Sequence, residues 1–449
     1  MKKITFFVLV SIFCIGLFYS RLVEATVSVN IDVDKPIVLA QEGENVVIKV
    51  GLSGDKRKIK VNRKPLNIAI VLDKSGSMAS GQKMENAKRG AIELIQRLTK
   101  EDIFSLITYD SSARVLIPAQ RMQNKDSVVE LIKTITAGGS TALFDGVSFG
   151  VSELRKNIAG DYLDRILLLS DGIANVGHSS TAELGQYGGL LNKEGIVVST
   201  VGVGLDYNED LMTALAQKST GNSYFAKDSD QLPEIFAEEV GEAMTIMAKN
   251  IKIDLDILGE AVPEIIIGRE GIIKGKTMQV TIGNLYGKNG KYALFEVQVP
   301  PSEHGRKVKI ARINVEYTDP YLNQVVRKNQ DIFISYDKNK ELVAKKQNKQ
   351  ILKEAALTRI SAVKNKVITL TDKGDYEQAV QLMSGNTALL EKTAQQCDND
   401  KELLAVAEKC QVLSNDISQN KGLTNKFRKQ VRNEAYTQIE QQRFVNCQE

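Results

Sequence analysis

The sequence predicts a doubly wound α/β (Rossmann-like) domain that is inserted into a β-sandwich and followed by a C-terminal α-helical bundle. Three patterns predict this architecture. Apolar and polar residues alternate at period two near the start of the chain and again after Lys249. Between these regions, nearly unbroken apolar segments alternate with helical patterns, which is typical of a buried parallel sheet flanked by helices. Beyond Asp337, apolar residues recur at helical spacing and the strand pattern stops.

The composition is that of an ordinary globular protein. A chain of 449 residues is long enough for several domains, and its content of 43% apolar and 25% charged residues excludes wholesale disorder. The formal net charge of +4 gives no general signal for a polyanionic partner. We interpret one basic stretch as a solvated strand face and loop, not as a nucleic-acid contact: Lys56, Arg57, Lys58, Lys60, Arg63 and Lys64.

The N-terminal segment, residues 1–25, predicts a cleaved signal peptide. Two lysines precede an apolar run, and the segment ends on the small residue Ala25, where we expect cleavage. The apolar run of about 16 residues is shorter than the roughly 20 that span a bilayer, so a retained membrane anchor is the less favoured alternative. We therefore predict an exported protein, periplasmic or secreted, that meets the membrane only transiently.

The strand patterns on both sides of the central region predict one shared β-sandwich, formed by residues 26–64 and 249–337. The first part alternates at Val27, Val29, Ile31 and Val33. The second part begins in the same way at Ile251, Ile253, Leu255 and Ile257. The few strands of the first part cannot bury a core alone, whereas pooled with those of the second part they can.

The central region, residues 65–248, predicts the inserted α/β domain. Its first strand, Leu66 to Leu72, is almost continuously apolar, as in a central parallel strand. Helices are expected near 84–98, 127–135, 144–156, 181–194 and 208–219. Strands are expected near 103–109, 113–117, 164–170, 196–203 and 223–226. The last helix is expected to run from Ser229 to about Ala248.

Residues 338–449 predict a C-terminal domain of three to five packed helices. The stretch from Lys338 to Phe444 lacks proline and carries apolar stripes, of which Phe427, Val431, Ala435 and Ile439 form the last. No heptad pattern persists over several turns, which favours a bundle over a coiled-coil oligomer. The final helix is expected to span about Thr424 to Phe444.

Oxygen-bearing side chains cluster in the sequence where buried strands of the α/β domain end. Asp73, Ser75 and Ser77 follow the first strand at steps of two, so that their side chains can converge. Thr141 precedes a helix in Gly138-Gly139-Ser140-Thr141, and Asp171 ends another buried strand. Ligands of open α/β sheets bind at the carboxyl ends of the strands, so these residues predict a site for a hard cation. Two carboxylates and three hydroxyls would leave such an ion electrophilic, with a position open to a carboxylate.

These motifs resemble the von Willebrand factor A (VWA) family, whose metal-ion-dependent adhesion site uses Asp-x-Ser-x-Ser, a later Thr and a later Asp. The resemblance covers about Leu66 to Met247. It assigns to a bound Mg2+, or alternatively Mn2+ or Ca2+, the residues Asp73, Ser75, Ser77, Thr141 and Asp171. The segments around Thr141 and Asp171 are also similar to secreted bacterial VWA proteins related to inter-alpha-trypsin-inhibitor heavy chains and calcium-activated chloride channel-like proteins.

Three cysteines follow the predicted signal peptide, and an exported location would permit one disulfide. Cys410 would lie about 15 Å along a helix from Cys397, beyond the reach of a disulfide, which disfavours that pair. We expect a Cys397–Cys447 disulfide, with a fully reduced bundle as the alternative and Cys410 as a buried thiol. The two histidines, His178 and His304, have no spaced partners for zinc and are interpreted as surface residues.

The sequence favours a non-enzymatic binding module over two other classes of function. It contains no phosphate-binding loop, no zinc-protease motif and no nucleophile elbow, so no catalytic constellation accompanies the predicted metal site. The favoured partner is a protein or matrix ligand that offers an acidic residue to the cation. The alternative is a structural envelope protein in which the metal only stabilises the fold. Hydrolase or channel activity would rest on distant resemblance alone.

Overall fold

A computed structural model describes residues 27–54, 63–173, 180–287 and 290–442. The predicted signal peptide, His178, Cys447 and most of the basic stretch lie outside these ranges. The described chain opens with three strands, β1 (Val27–Val33), β2 (Ile37–Leu39) and β3 (Glu44–Gly54). It then enters the α/β domain at Leu66.

The α/β domain is built on a six-stranded, mostly parallel sheet. Its strands are β4 (Leu66–Asp73), β5 (Ile103–Tyr109), β6 (Ala113–Arg121), β7 (Leu163–Ser170), β8 (Val197–Val203) and β9 (Ser223–Ala226). They lie in the order β6-β5-β4-β7-β8-β9, and only the β5–β6 pair is antiparallel. The order reverses beside β4, because the chain moves outward to β6 before crossing back to β7. The carboxyl end of β4 is thus where such sheets bind ligands.

Helices cover both faces of this sheet. They are α1 (Lys83–Arg97), α2 (Lys125–Lys133), α3 (Leu143–Arg155), α4 (Thr181–Lys193), α5 (Glu209–Lys218) and α6 (Leu232–Ala243). Side-chain oxygens of Asn124, Ser180 and Asn208 accept backbone N–H groups at the first turns of α2, α4 and α5. These caps satisfy donors that have no partner within the helix, and they fix where each helix begins.

The last helix of the α/β domain is shorter than the sequence predicted. It ends at Ala243, not near Ala248, and a strand, β10 (Ile246–Ile257), follows almost at once. Met247 and Ala248 are buried in the core of the sandwich. A short apolar run fits a buried helix or a buried strand equally well, so tertiary contacts decide its conformation here.

The remaining strands complete the β-sandwich: β11 (Val262–Ile267), β12 (Ile272–Lys274), β13 (Thr277–Ile282), β14 (Leu285–Tyr286), β15 (Gly290–Val299), β16 (Lys307–Asp319) and β17 (Gln324–Asp337). One sheet has the order β1-β3-β15-β11 and the other β12-β13-β10-β16-β17-β2, with β14 paired to β10. Because β3 pairs with β15 and β2 with β17, strands from before and after the α/β domain share both sheets. The predicted insertion is confirmed.

Five helices follow the sandwich within the described residues up to 442: α7 (Lys340–Lys345), α8 (Lys349–Asp372), α9 (Tyr376–Gln396), α10 (Lys401–Asn420) and α11 (Asn425–Glu440). The last four share a core that includes Val367, Met383, Cys410 and Ile417. The final helix ends at Glu440 and not at Phe444, because Gln441 adopts a left-handed conformation with φ 47°. None of the helices in the described part of the chain is long and apolar enough to cross a membrane.

Helix α11 fastens the bundle to the α/β domain. The buried ammonium of Lys429 donates to the carbonyl of Tyr207 at 2.7 Å and pairs with Glu209 at the start of α5. Further along α11, the hydroxyl of Tyr436 donates to the carbonyl of Gly221 at 2.7 Å. The helix therefore lies along the β9 side of the sheet, from the carboxyl ends of the strands towards their amino ends.

Candidate metal centre

Asp73 is the last residue of β4, and its side chain is fully buried. One carboxylate oxygen accepts the backbone N–H of Ser75 at 2.8 Å, and the other accepts the hydroxyl of Ser170 at 3.0 Å. The loop after β4 and the end of β7 thus fix the orientation of this carboxylate. Sequence reasoning did not identify the contact from Ser170, which depends on the pairing of β4 with β7.

The two serines of the loop meet Asp171 across the end of the sheet. The hydroxyl oxygens of Ser75 and Ser77 lie 3.0 Å apart. Ser77 donates to Oδ1 of Asp171 at 2.7 Å, and Ser75 Oγ lies 3.5 Å from the same oxygen. Asp171 is also fully buried. Oxygen atoms from the ends of β4 and β7 therefore converge on one place.

Thr141 joins this group from the loop that precedes α3. Backbone hydrogen bonds hold that loop against the Asp73 loop, from Gly138 N–H to Lys74 O at 2.7 Å and from Gly76 N–H to Gly139 O at 3.0 Å. A Cβ atom placed on Gly172 would lie 3.1 Å from Thr141 Oγ1 and 3.7 Å from Ser77 Oγ. All five residues that the sequence selected are thus brought together, and their binding of a metal stays a prediction.

A glycine is required where the second loop meets its neighbour. Gly139 has φ +86°, and a Cβ atom there would lie 2.9 Å from the Cβ of Asp110. Asp110 in turn pairs with Lys74 of the Asp73 loop. The charge of Lys74 is therefore matched by a carboxylate that is not one of the five predicted ligands.

Lys83 is a charged residue at this centre that sequence reasoning also missed. Its ammonium lies 2.8 Å from Oδ2 of Asp171, and its side chain is 16% exposed. Lys83 is the first residue of α1, directly after the loop, which is the one signal that could have placed it at the carboxyl edge of the sheet. The pairing with Asp171 itself joins residues far apart in sequence.

Burial and charge make the centre electrostatically unusual. The pKa of Asp73 is raised to about 6, chiefly by burial; the hydrogen bonds from Ser75 and Ser170 oppose this rise, and the nearby charge of Asp171 adds to it. A divalent cation would relieve this repulsion. Two carboxylates with three hydroxyls form an all-oxygen donor set, which suits Mg2+, Mn2+ or Ca2+. Within the described ranges, no group of three or more His, Cys, Asp and Glu side chains could hold a metal.

One side of this mostly buried cluster is exposed. Ser77 and Ser140 are exposed, so the centre opens to solvent. Two aliphatic side chains border it and are also exposed, Ile173 at 63% and Leu205 at 38%. Leu205 follows Gly204, where a Cβ atom would lie 3.6 Å from the ammonium of Lys83. Exposed apolar side chains therefore lie beside the buried acidic groups of the centre.

Residues 67–238 match the family model described as the von Willebrand factor type A domain. The chain contains a VWA domain. The resemblance to the VWA family that the sequence indicated is thereby confirmed, as is the doubly wound fold class. VWA domains are in general non-catalytic modules of protein–protein interaction, and they bind a divalent metal at the metal-ion-dependent adhesion site.

Two curated relatives are bacterial proteins without an assigned function. The uncharacterized protein sll0103 of Synechocystis is 26% identical over 276 residues, which are 58% of this chain and 64% of the relative. YfbK of Escherichia coli is 24% identical over 51% of this chain and 41% of the relative. The chain thus spans less than two thirds of either protein. Bovine calcium-activated chloride channel regulator 1 and inter-alpha-trypsin inhibitor heavy chain H4, each 27% identical over about 40% of this chain, confirm the two predicted groups of relatives.

Two solved structures share the fold over most of the chain. A von Willebrand factor type A protein from Catenulispora acidiphila has a TM-score of 0.63 at 15% identity, covering 83% of this chain and 88% of its own. The ArnB paralog VWA2 from Sulfolobus acidocaldarius has a TM-score of 0.58 at 18% identity, covering 92% and 98%. The likeness in fold therefore extends well beyond residues 67–238.

The cysteines and histidines do not contribute to the centre as far as the described chain extends. Cys410 is buried in the bundle core, as expected, and the thiol of Cys397 lies 3.5 Å from the carbonyl of Lys349. The predicted partner of Cys397, Cys447, lies outside the described residues, so that disulfide stays a prediction. His304 is on the surface, with a half-exposed side chain 3.8 Å from Asp337.

Proposed function

We propose that this protein is a non-enzymatic, divalent-cation-dependent binding module for an acidic group of a protein or matrix ligand. A Mg2+-type ion, or Mn2+ or Ca2+ in its place, would be held by Asp73, Ser75, Ser77, Thr141 and Asp171. The observation that carries the proposal is the convergence of these oxygen atoms at the point where the strand order of the sheet reverses.

The donor set leaves the coordination of the cation open to an oxygen ligand. Hydroxyl oxygens are neutral, so the two carboxylates carry the whole negative charge offered to the cation. An ion held in this way supplies a Lewis-acidic position that a ligand carboxylate can complete. The exposed Ile173 and Leu205 add apolar contact area beside it, which favours a protein ligand over a free carboxylic acid.

The orientation of the domain supports an accessible binding face. The sandwich contacts the α/β domain near the amino ends of its strands, where Arg165 of β7 donates to the hydroxyl of Tyr286 and Gly287 donates to the carbonyl of Thr245. Arg165 precedes Asp171 by six residues of extended chain, which is about 20 Å. The metal face therefore points away from the sandwich.

The proposal includes an envelope or extracellular location, which rests on the predicted signal peptide. A different candidate function is a structural envelope protein in which the cation only stabilises the fold. The docking of α11 along the α/β domain supports this candidate, because it makes the helical bundle an integral part of the folded chain.

Metal binding is tested by isothermal titration of the protein with Mn2+ and Mg2+. We expect Asp73→Ala to abolish binding, whereas Asp161→Ala, which changes an exposed carboxylate paired with Lys64, should leave it unchanged. Equal binding by wild type and Asp73→Ala would refute the metal site. Capture of envelope proteins with Mg2+ and with EDTA then separates the two functions, since a structural protein would keep its partners in EDTA.

A further inference from the structure

The position of Lys83 is fixed from three sides. The left-handed residues Gly81 and Gln82, with φ of +59° and 54°, turn the chain so that α1 begins at Lys83. The side chain then passes the backbone of Gly204, where a Cβ atom would lie 3.6 Å from both its Cε and its Nζ. Its ammonium ends 2.8 Å from Asp171 Oδ2, while Ser77 holds the other oxygen of that carboxylate. This is a built ion pair against a fully buried carboxylate.

Lys83 changes the net charge of the centre. Asp73 and Asp171 contribute −2 and Lys83 contributes +1, which leaves −1. The charge of Lys74 is matched outside this set by Asp110. A bound divalent cation would therefore bring the centre to +1 when Lys83 is present and to zero when it is absent. One carboxylate from a ligand would therefore bring the centre to neutrality only when Lys83 is present.

We propose that Lys83 couples the cation to the acidic ligand. It weakens the binding of the cation alone and leaves a net positive charge that strengthens the binding of an acid to the loaded centre. This inference rests on the proposed function, because it concerns the same cation and the same open position. Its consequence is reciprocal: an acid must raise the affinity for the cation by the same factor as the cation raises the affinity for the acid.

The test uses the full chain, Mn2+ as the metal and acetate as the acid probe. Calorimetry measures Mn2+ affinity without acid, and water-proton relaxation of bound Mn2+ reports the entry of acetate. For Lys83→Met we expect Mn2+ affinity to rise by about tenfold and acetate affinity to fall by a similar factor. This is the effect of one unit charge near a divalent ion in partly hydrated surroundings.

Two control variants separate charge from local disruption. Lys88→Met removes a buried lysine of the same helix that contacts Glu85 and the carbonyl of Lys133 and not the centre, and its affinities for Mn2+ and acetate should match those of wild type. Lys83→Gln removes the charge with a polar side chain and should repeat the result of Lys83→Met, which keeps the test valid if the methionine variant misfolds.

The outcomes separate this inference from the function on which it rests. Tighter Mn2+ binding with weaker acetate binding in the Lys83 variants supports the coupling. Mn2+ binding that is unchanged or weaker in both Lys83 variants, with wild type binding normally, overturns the role of Lys83 and leaves the metal site standing. No Mn2+ binding by wild type or either Lys83 variant overturns both.

Discussion

Replacing Glu239 by alanine is expected to be among the most destabilising single changes in this protein. Glu239 belongs to α6, and its carboxylate is fully buried beside the buried guanidinium of Arg165 from β7. It also accepts hydrogen bonds from Ser199 at 2.6 Å, Tyr224 at 2.9 Å and Asn222 at 3.0 Å. One carboxylate thus ties α6 to three strands of the sheet.

The magnitude follows from what the substitution leaves behind. Removing one partner of a buried ion pair costs about 3–5 kcal/mol, because the other charge stays buried. The three neutral donors lose an acceptor as well, at about 1 kcal/mol each. Arg165 keeps its contact with Tyr286, which offsets part of this cost. We therefore expect Glu239→Ala to lower the free energy of unfolding by about 4 kcal/mol or more.

Urea unfolding followed by far-ultraviolet circular dichroism measures this effect, since the chain has no tryptophan for fluorescence. Glu234→Ala is the matched control, because it removes an exposed glutamate from the first turn of the same helix and should cost less than about 1 kcal/mol. The double variant Arg165→Met/Glu239→Leu should regain most of the lost stability. A loss below about 1 kcal/mol for Glu239→Ala would refute the reasoning.

The pH dependence of the same group has a defined sign. Burial alone would raise the pKa of Glu239, but Arg165 and the three hydrogen bonds hold it below its usual value. A depressed pKa means that the group stabilises the fold above the pKa of the unfolded chain, about 4.3, and that this contribution is lost as the pH falls through the folded value. The difference between wild type and Glu239→Gln should therefore narrow below about pH 4.

Three other predictions can be checked independently. Gly139→Ala should weaken Mn2+ binding and destabilise the fold by about 1–2 kcal/mol, because Gly139 has a positive φ and an added Cβ would meet Asp110. In Gly138→Ala the added Cβ would lie in open space, so both effects should be smaller in the same titration and urea assays. Burial raises the pKa of Asp34 to about 6, so ionisation of this carboxyl opposes folding as the pH rises from about 4 to 6. In urea unfolding, Asp34→Asn should be up to about 3 kcal/mol more stable than wild type at pH 7 and equally stable at pH 4. Lys429→Met should speed hydrogen exchange in α11 relative to α9, because it removes the buried contact with α5, and unchanged protection of α11 would contradict this.

Burial on both faces explains why the central strands could be predicted from the sequence. Every residue of β4 and β8 is buried, so each appears as a mostly apolar run, with Asn67 inside β4 and Ser199 and Thr200 inside β8 as the polar exceptions. Strand β12 is the opposite case: all three of its residues are exposed, and it forms an edge of its sheet. A short edge strand has no buried face to impose alternation, so it leaves no pattern to recognise.

The residues of the candidate site also differ in whether the sequence could predict them. The spacing of Asp73, Ser75 and Ser77 is a local sequence pattern. Thr141 and Asp171 were predicted because one precedes a helix and the other ends a buried strand. The ion pair of Lys83 with Asp171 joins residues 88 positions apart. It depends on two left-handed residues that set the start of α1, one of them a glutamine, which gives no signal for that conformation. The oxygen-bearing residues of the site were therefore predictable from the sequence, whereas the contribution of Lys83 to its net charge was not.

The architecture also determines what a ligand can reach. The sandwich bonds to the amino ends of the sheet through Tyr286, and α11 lies along the side formed by β9. Ser77 and Ser140 are exposed at the carboxyl ends and belong to neither of these contacts. The loop after β8 borders Lys83 at Gly204 and is held by Lys429 three residues later, at Tyr207. The bundle thus supports the loop beside the candidate metal centre, which would give the C-terminal helices a physical role in shaping the proposed binding face.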